Sequence, residues 1–484
     1  MSENKQKPHR VKPRVSRGLR DLLPQQQLAR QWMIDKIRGV YELYGFLPLS
    51  TPAVEYLDVL LGSQAGDEAA RSIFRVFNPE DEELGLRFDL TVPLARVVAQ
   101  YPNELSRPFR RYQVSPVWRG DKPDKGRFRE FTQFDLDSVG VTSEIADTEI
   151  LAGMCDTLEA LGVDSYLVRY SSRGLLNVLL AYAGIPLNHG RDVFRVLDKL
   201  DKVGLEKVGL ELTTGYVDES GDKIVGVGLE KAMVDKIGHF LSIRHDSRGE
   251  VVAELRELFK GIDGAEKEIG IVEKISRHLY ALGYKDSQVM LDLSIARGLA
   301  YYTGPVFEAI LTDAPQFGSV FGGGRYDGLV QRFLGEAVPA VGASIGVDRL
   351  LAALEHLGKV KAKKSTAQVL VTRMAESLDE EMLAITYELR RAGIPAELFL
   401  GGSRNIGKQL KYADQWTVPL VLICGEDEQA RGIVTLKDMD VGRRITGDID
   451  NREEWLARRP GQREVPRGEL LATVRSLLAE IEAG

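Results

Sequence analysis

Three arginines far apart in the chain, Arg119, Arg297 and Arg349, each stand within a few residues of a glycine. Arginine's planar fork of donors matches phosphate oxygens two at a time, so three converging guanidinium groups suit a triphosphate. The segment from Arg119 to Asp137 adds a second chemistry. Its first half is basic and loop-like. Its second half alternates, so that one face of a strand would present Gln133, Asp135 and Asp137. From Arg107 to Arg129 eight Lys or Arg stand against two Asp, in a chain whose formal net charge is −7. Such a segment suits a phosphate-bearing ligand held beside a group that carries positive charge or donates hydrogen bonds. Taken alone, the window reads equally as a solvated hairpin with charged flanks.

Three further runs bear on that choice. Arg297-Gly-Leu-Ala-Tyr-Tyr-Thr-Gly304 places an arginine at a glycine turn before an aromatic strand. Gly322-Gly-Gly-Arg-Tyr-Asp-Gly328 permits close backbone approach to a ligand, because glycine has no Cβ, although it lacks the lysine and hydroxyl of a nucleotide P-loop. The run from Gly342 to Leu351 puts Arg349 at the start of an apolar helix. Each alone is a turn, a plain loop or a surface arginine. Together with Arg119 they point to phosphoryl or nucleotidyl chemistry by positioning and electrostatics. No serine-histidine-acid arrangement, HExxH or GxSxG appears, and none of the six histidines lies in these segments. A covalent mechanism, a histidine base and a metal site are therefore not expected.

The elements that must position these residues follow from periodicity. Pro24 opens a helix carrying Met33, Ile37, Val40, Tyr41 and Tyr44, and Gly45 stands at its C-terminal cap. Phe46 to Glu55, Leu86 to Val92, Phe109 to Trp118, Val289 to Leu293 and Tyr301 to Ile310 read as strands, with helices at Ile145 to Leu161 and Asp348 to His356. Strands separated mainly by loops, with helices in blocks, predict a largely antiparallel sheet. Residues 188–270, rich in Lys, Asp, Glu and Gly, read as a mostly helical insertion between core segments 16–187 and 271–358. Lys359 to Ser365 is a linker, and 366–484 alternates strand and helix as a compact α/β domain, with a capping box expected at Ser377 to Glu380.

At 484 residues, 44% hydrophobic and 28% charged, the chain reads as a globular protein of about two to four domains. Its longest clean apolar run, Val418 to Cys424, falls far short of the roughly 20 residues that cross a bilayer. The start is polar and basic, an arm over 1–15, without the apolar core of a secretory signal, so a cytoplasmic location and no membrane partner are expected. Cys155 and Cys424 each stand alone among apolar neighbours, which excludes a disulfide framework. With an acidic balance overall, any nucleic-acid binding must come from local basic patches.

In order and spacing these motifs resemble the histidine-tRNA ligase family of class II aminoacyl-tRNA synthetases. Gly45 to Pro52 is similar to the first class motif, Phe109 to Asp137 to the second and Gly342 to Leu351 to the third. Arg297 to Gly304 and Phe321 to Gly328 resemble the two signatures particular to the histidine enzymes. The resemblance implies an α+β fold: an antiparallel sheet flanked by helices, the helical insertion, and a C-terminal α/β anticodon-binding domain. It further implies a homodimer that ligates L-histidine to histidine tRNA with ATP and Mg²⁺. Arg119 and Arg297 would grip the α-phosphate as catalytic residues. Arg349 and Arg127 would hold the γ-phosphate, and Glu130 would lie near the adenine. Asp89, Thr91 and Gln133 would receive the α-amino group, while Asp137 and Tyr302 would bond the imidazole nitrogens beside Arg297, Tyr301 and Tyr326.

The chain departs from the family pattern in places. Arg119-Gly-Asp121-Lys122-Pro123 stands where Arg-x-Glu-Arg-Pro is common, and Ala300 stands where Asp is usual. That loop meets the acceptor end of the tRNA in the family, so the first change bears on reading of the extra 5′ guanosine. A non-catalytic regulatory paralogue of histidine biosynthesis is the alternative; such relatives generally lack the C-terminal domain and the arginines. A class II synthetase for another amino acid is argued against by Gln133, Asp137 and Tyr302.

Overall fold

The computed structural model describes residues 11–62, 72–122, 128–218, 221–295, 302–360, 363–441 and 461–483. The chain divides into two units, Met1–Asp21 with Trp32–Val360 and Leu22–Gln31 with Lys361–Gly484. Residues 1–10 of the expected basic arm and 361–362 of the expected linker lie outside the described residues.

In the first unit the alternating stretches pair into one eight-stranded sheet. Its strands are β1 (Leu47–Pro48), β2 (Phe109–Trp118), β3 (Glu130–Val139), β4 (Tyr166–Ser172), β5 (Val289–Leu291), β6 (Pro305–Leu311), β7 (Ser319–Arg325) and β8 (Ala340–Gly346). Their order across the sheet is β1-β2-β3-β8-β7-β6-β4-β5. Only the two outermost pairs, β1 with β2 and β5 with β4, run parallel; the interior pairs are antiparallel, as the sequence predicts. One face of β3 turns Phe134 and Leu136 into the core, where the Phe134 and Tyr41 rings meet edge-on with centroids 5.0 Å apart. Tyr41 comes from helix α1 (Pro24–Leu43), which also buries Met33 and Ile37.

Some expected elements differ. Phe46 to Glu55 is not one strand: β1 covers two residues, and Val54–Tyr56 instead pairs with Leu84–Leu86 in a separate small sheet. Pro48 and Pro52 have no N–H for a continuous ladder. The strand expected over Leu86 to Val92 ends at Leu86, and its last two positions instead open helix α2 (Thr91–Gln100). Its first turn accepts Pro93, and the Asp89 carboxylate accepts the Val92 N–H at 3.1 Å. The glycine run beginning at Gly322 is not a loop but the middle of β7. The helix expected at Ile145 forms as α3 (Glu144–Ala160), with the Ser143 side chain accepting the Ile145 N–H, and that expected at Asp348 forms as α4 (Val347–His356). Helices Gly190–Leu197, Leu200–Leu212, Lys231–Ser242, Arg248–Leu258 and Ala265–Ala281 fill the stretch before β5.

The second unit holds a five-stranded sheet of β9 (Val369–Val371), β10 (Ala396–Leu398), β11 (Leu420–Ile423), β12 (Ile433–Asp438) and β13 (Gln462–Pro466), in the order β10-β9-β11-β12-β13. Helices α5 (Asp379–Arg391) and α7 (Leu470–Ala483) share one apolar cluster with it, through Met382, Ile385, Leu389, Leu470 and Val474. On the other, Ala413 of α6 (Ile406–Gln415) clusters with Leu370 and Val421. The expected capping box does not form. Ser377, just ahead of the start of α5, instead donates its hydroxyl to Glu426 Oε1 at 2.9 Å.

Each unit buries one cysteine: burial pushes the Cys155 thiol up to about 12 and the Cys424 thiol up to about 11. No helix among the described residues is long and apolar enough to cross a membrane.

Candidate active site

The second face of β3 carries Gln133, Asp135 and Asp137, and register decides what surrounds them. Across the hairpin, Arg111 and Gln113 of β2 stand opposite Asp137 and Asp135. On the other side Gly342 and Ser344 of β8 stand opposite the same two aspartates. Because β8 offers no side chain at Gly342, the Asp137 carboxylate can lie over that backbone: a Cβ there would fall 2.0 Å from Asp137 Oδ1.

Arg111 is fully buried, and its Nη2 lies 2.9 Å from Asp137 Oδ2, 3.8 Å from Asp135 Oδ2 and 3.1 Å from the Leu90 carbonyl, to which it donates. Tyr326 donates its hydroxyl to the other Asp137 oxygen. One guanidinium thus serves two carboxylates. Both aspartates are held above the usual carboxylate range, chiefly because burial removes water from the charged form, and the Arg111 charge opposes that rise. Asp135 is raised further by Asp137, while the Ser344 hydroxyl favours its charged form. Gln133 donates Nε2 to Ser344 Oγ at 2.8 Å. Its Oε1 and Asp135 Oδ1 are both buried without a hydrogen-bond partner.

A narrow cavity opens over this surface, bounded by Thr91, Asp135, Asp137, Tyr302, Tyr326 and Ser344, with Gly322 and Gly342 among its walls. Tyr302 and Tyr326 are fixed by an apolar cluster that includes Leu94 and Val98 of α2. The Tyr302 ring lies where β7 has no side chain, since a Cβ on Gly324 would stand 2.8 Å from it. Arg325, beside Tyr326, is anchored by Nε to Asp147 Oδ1 at 3.1 Å and Nη1 to the Val141 carbonyl at 2.8 Å. Asp89 is held above its ordinary range by burial, against the pull of Arg119.

Toward the start of β3, Arg119 donates Nε to the Phe88 carbonyl at 3.1 Å, and its guanidinium carbon lies 5.1 Å from the Phe131 ring centroid. Arg349 sits in the first turn of α4 and donates Nη1 to the Ser319 carbonyl at 2.7 Å. Glu130, exposed, is the first residue of β3. The neighbouring Asp348 accepts from the Thr132 N–H at 2.7 Å and pairs with Arg20 at 2.6 Å. Among the described residues no group of three or more His, Cys, Asp or Glu could hold a metal ion.

Of the residues expected from sequence, Thr91, Asp137, Tyr302 and Tyr326 border the cavity, and Gln133 reaches its Ser344 wall. Arg119 lies near enough to Asp89 to oppose the rise that burial causes in its carboxyl. Arg349 and Glu130 are on elements that flank β3 or begin it, outside that cavity. Arg127, Arg297 and Tyr301, with Ala300 and Pro123, lie outside the described residues. Sequence reasoning missed Arg111 and Ser344 and assigned Asp135 no role. Arg87 was also missed: it donates Nη1 to the Thr51 and Pro52 carbonyls at 2.7 and 3.1 Å and Nε to the Pro116 carbonyl at 3.0 Å, fastening the loop after β1 to β2. Arg111 meets Asp137 only because the hairpin closes with Trp118 opposite Glu130, a register that the sequence does not mark.

Comparison with known proteins matches residues 18–350 to a family model described as histidyl-tRNA synthetase, and residues 368–459 to one described as anticodon binding domain. The chain is 41% identical over 497 residues to the histidine–tRNA ligase of Rhizobium rhizogenes, covering 99% of this chain and 98% of that one. It is 42% identical over 498 residues to that of Rhizobium meliloti, with the same coverage. Among solved structures, histidyl-tRNA synthetase from Nostoc sp. PCC 7120 superposes with a TM-score of 0.81 at 31% identity, covering 96% of this chain and 100% of the other. The family model takes in every strand of the large sheet and the cavity upon it, and the relatives match from end to end. The chain belongs to the histidyl-tRNA synthetase family.

Proposed function

We propose that this chain ligates L-histidine to histidine tRNA by way of a histidyl-adenylate. The observation that carries the reading is a narrow cavity edged by Asp137, Tyr302 and Tyr326 in a chain that matches histidine–tRNA ligases along its whole length. In the first step a histidine carboxylate oxygen bonds to the α-phosphorus of ATP as the bond to the β-phosphate oxygen breaks and pyrophosphate leaves. No protein nucleophile is needed; the residues hold the reactants in line and neutralise developing charge. Arg119 and Arg297 hold the α-phosphate, Arg349 and Arg127 the γ-phosphate, and Glu130 lies near the adenine. Asp89, Thr91 and Gln133 take the α-ammonium. Asp137 and Tyr302 bond the ring nitrogens, with Tyr301 and Tyr326 lining the pocket. A site that pairs both ring nitrogens rejects amino acids lacking them by about 10⁴ or more, because its own polar groups would be left unpaired.

Mg²⁺ supplies charge neutralisation on the phosphates. It would come with the nucleotide, since among the described residues no group of three or more His, Cys, Asp or Glu could hold a metal ion by itself. The second unit reads the anticodon, consistent with its family match. The catalytic core is 16–187 and 271–358, interrupted by the insertion 188–270. A homodimer in the cytoplasm completes the reading: β1 is an outermost strand, Leu47 within it is 59% exposed, and Leu43 at the end of α1 before it is 87% exposed.

The test is histidine-dependent exchange of pyrophosphate into ATP with no tRNA present. Exchange supported by histidine alone among the amino acids is expected. Exchange with a different amino acid would overturn the assignment, and none with any amino acid would favour a regulatory paralogue.

A further inference from the structure

We propose that Asp135 is a specificity-determining residue of the histidine pocket, whose carboxylate receives the substrate's α-ammonium together with the side-chain carbonyl of Gln133. The inference rests on the reading of the cavity as the histidine site and adds a residue to it.

Asp137 has Arg111 at 2.9 Å from Oδ2, an ion pair that makes no hydrogen bond, and the Tyr326 hydroxyl on Oδ1. Asp135 has Arg111 only at 3.8 Å, and its Oδ1 is buried with no hydrogen bond. One buried guanidinium, Arg111, is shared by two buried carboxylates, with the buried Arg87 near enough to Asp135 to feel its charge. Gln133 commits its Nε2 to Ser344, which leaves Oε1 as a second buried atom without a partner. Both orphans are acceptors. Buried acceptors without donors are costly, so the group that completes them must bring N–H bonds and positive charge. An ammonium does both.

Spacing assigns the ends of the ligand. Residues two apart on a strand present side chains on one face about 7 Å apart. That is close to the reach of histidine from its α-nitrogen to the far side of its ring. With the ring at Asp137, between Tyr302 and Tyr326, the α-ammonium falls toward Asp135 and Gln133. Asp89 is less free for this task, because one of its oxygens already accepts the Val92 N–H at the start of α2. Burial holds the Asp135 carboxyl above its ordinary range, and a cation beside it favours its charged form.

The test uses the full chain in histidine-dependent pyrophosphate exchange. Asp135→Asn keeps shape and loses charge. Its KM for histidine is expected to rise about 10- to 100-fold, the usual weight of a hydrogen bond to a charged group, with the KM for ATP unchanged. Two competitors separate recognition from support of the fold. Histidinol keeps ring and ammonium, and 3-(imidazol-4-yl)propanoate keeps the ring without the ammonium. In the variant the inhibition constant of histidinol is expected to rise with the histidine KM, while that of the ammonium-free analogue stays put. Equal shifts for both, or an unchanged histidine KM, would overturn the proposal. Should the Asn variant fail to fold, Asp135→Glu retains the charge beside Arg111 but displaces it by a methylene, and the same selective loss decides. Failure of the wild-type chain to use histidine would count against the function itself, a distinct outcome.

Discussion

Arg111 holds together the charges on which the pocket depends. It is buried on β2, faces Asp137 and Asp135 on β3, and shares that pair with Tyr326, Tyr41, Arg87, Ser344 of β8 and Asp89 ahead of α2. Arg111→Met is therefore expected to destabilise the first unit by about 3–5 kcal/mol near neutral pH, the cost of stranding buried charge. The sign of its pH dependence follows from the carboxyls. In the folded chain Asp135 is pushed up to about 7, against an ordinary 3.8, so the folded state holds its proton longer than the unfolded state does. Stability from that proton is present below about pH 4 and lost as pH rises through about 7. Without the arginine both carboxyls rise further, so the deficit of the variant should be smallest near pH 4 and grow toward pH 8. Thermal unfolding midpoints across that range check it; a deficit independent of pH would show that Arg111 acts through packing alone. Asp137 was legible in sequence because a strand's alternation shows in a single stretch. Arg111 was not, because its role exists only once the register of two strands is known.

At the scale of elements, β7 and β8 shape the pocket by what they lack. Glycine is a poor strand former, and Gly322 to Gly324 reads as a loop by composition. Yet it sits mid-strand, where Tyr302 and the neighbouring backbone take the space that side chains would fill. The sharpest case is Gly342. A Cβ there would meet Asp137 Oδ1 at 2.0 Å and the Leu136 carbonyl oxygen at 2.7 Å, with no room to yield toward the backbone. Gly342→Ala should lower kcat/KM for histidine in pyrophosphate exchange roughly 100-fold, as expected when a binding group is displaced by about 1 Å. Gly346→Ala on the same strand, where the nearest atom is 3.8 Å away, is the control and should change little. Near-normal activity of the Gly342 variant would remove Asp137 from its proposed role. Strand and helix positions were largely legible, as with Phe109 to Trp118. Strand order was not, since β8 enters beside β3 from two hundred residues away in a pairing that no local pattern announces.

For the whole molecule the linker and the alternating C-terminal pattern were enough to foresee a separate α/β unit, and the match of residues 368–459 to an anticodon-binding domain accords with it. The proposed homodimer has a direct check. Light scattering should give twice the 53.7 kDa chain mass, and Leu43→Glu with Leu47→Glu, which puts charge on two exposed leucines, should reduce it to one. A wild-type monomer at micromolar concentration would end that proposal.

The two cysteines, finally, make the protein convenient for spectroscopy. Cys155 and Cys424 are buried, and with their thiols pushed up to about 12 and about 11 almost no thiolate exists at neutral pH. A maleimide dye or spin label should leave both untouched in the native chain. A single cysteine introduced on the surface of either unit can then be labelled in the otherwise natural sequence, and movements during histidine activation and tRNA charging can be followed without first removing the native thiols.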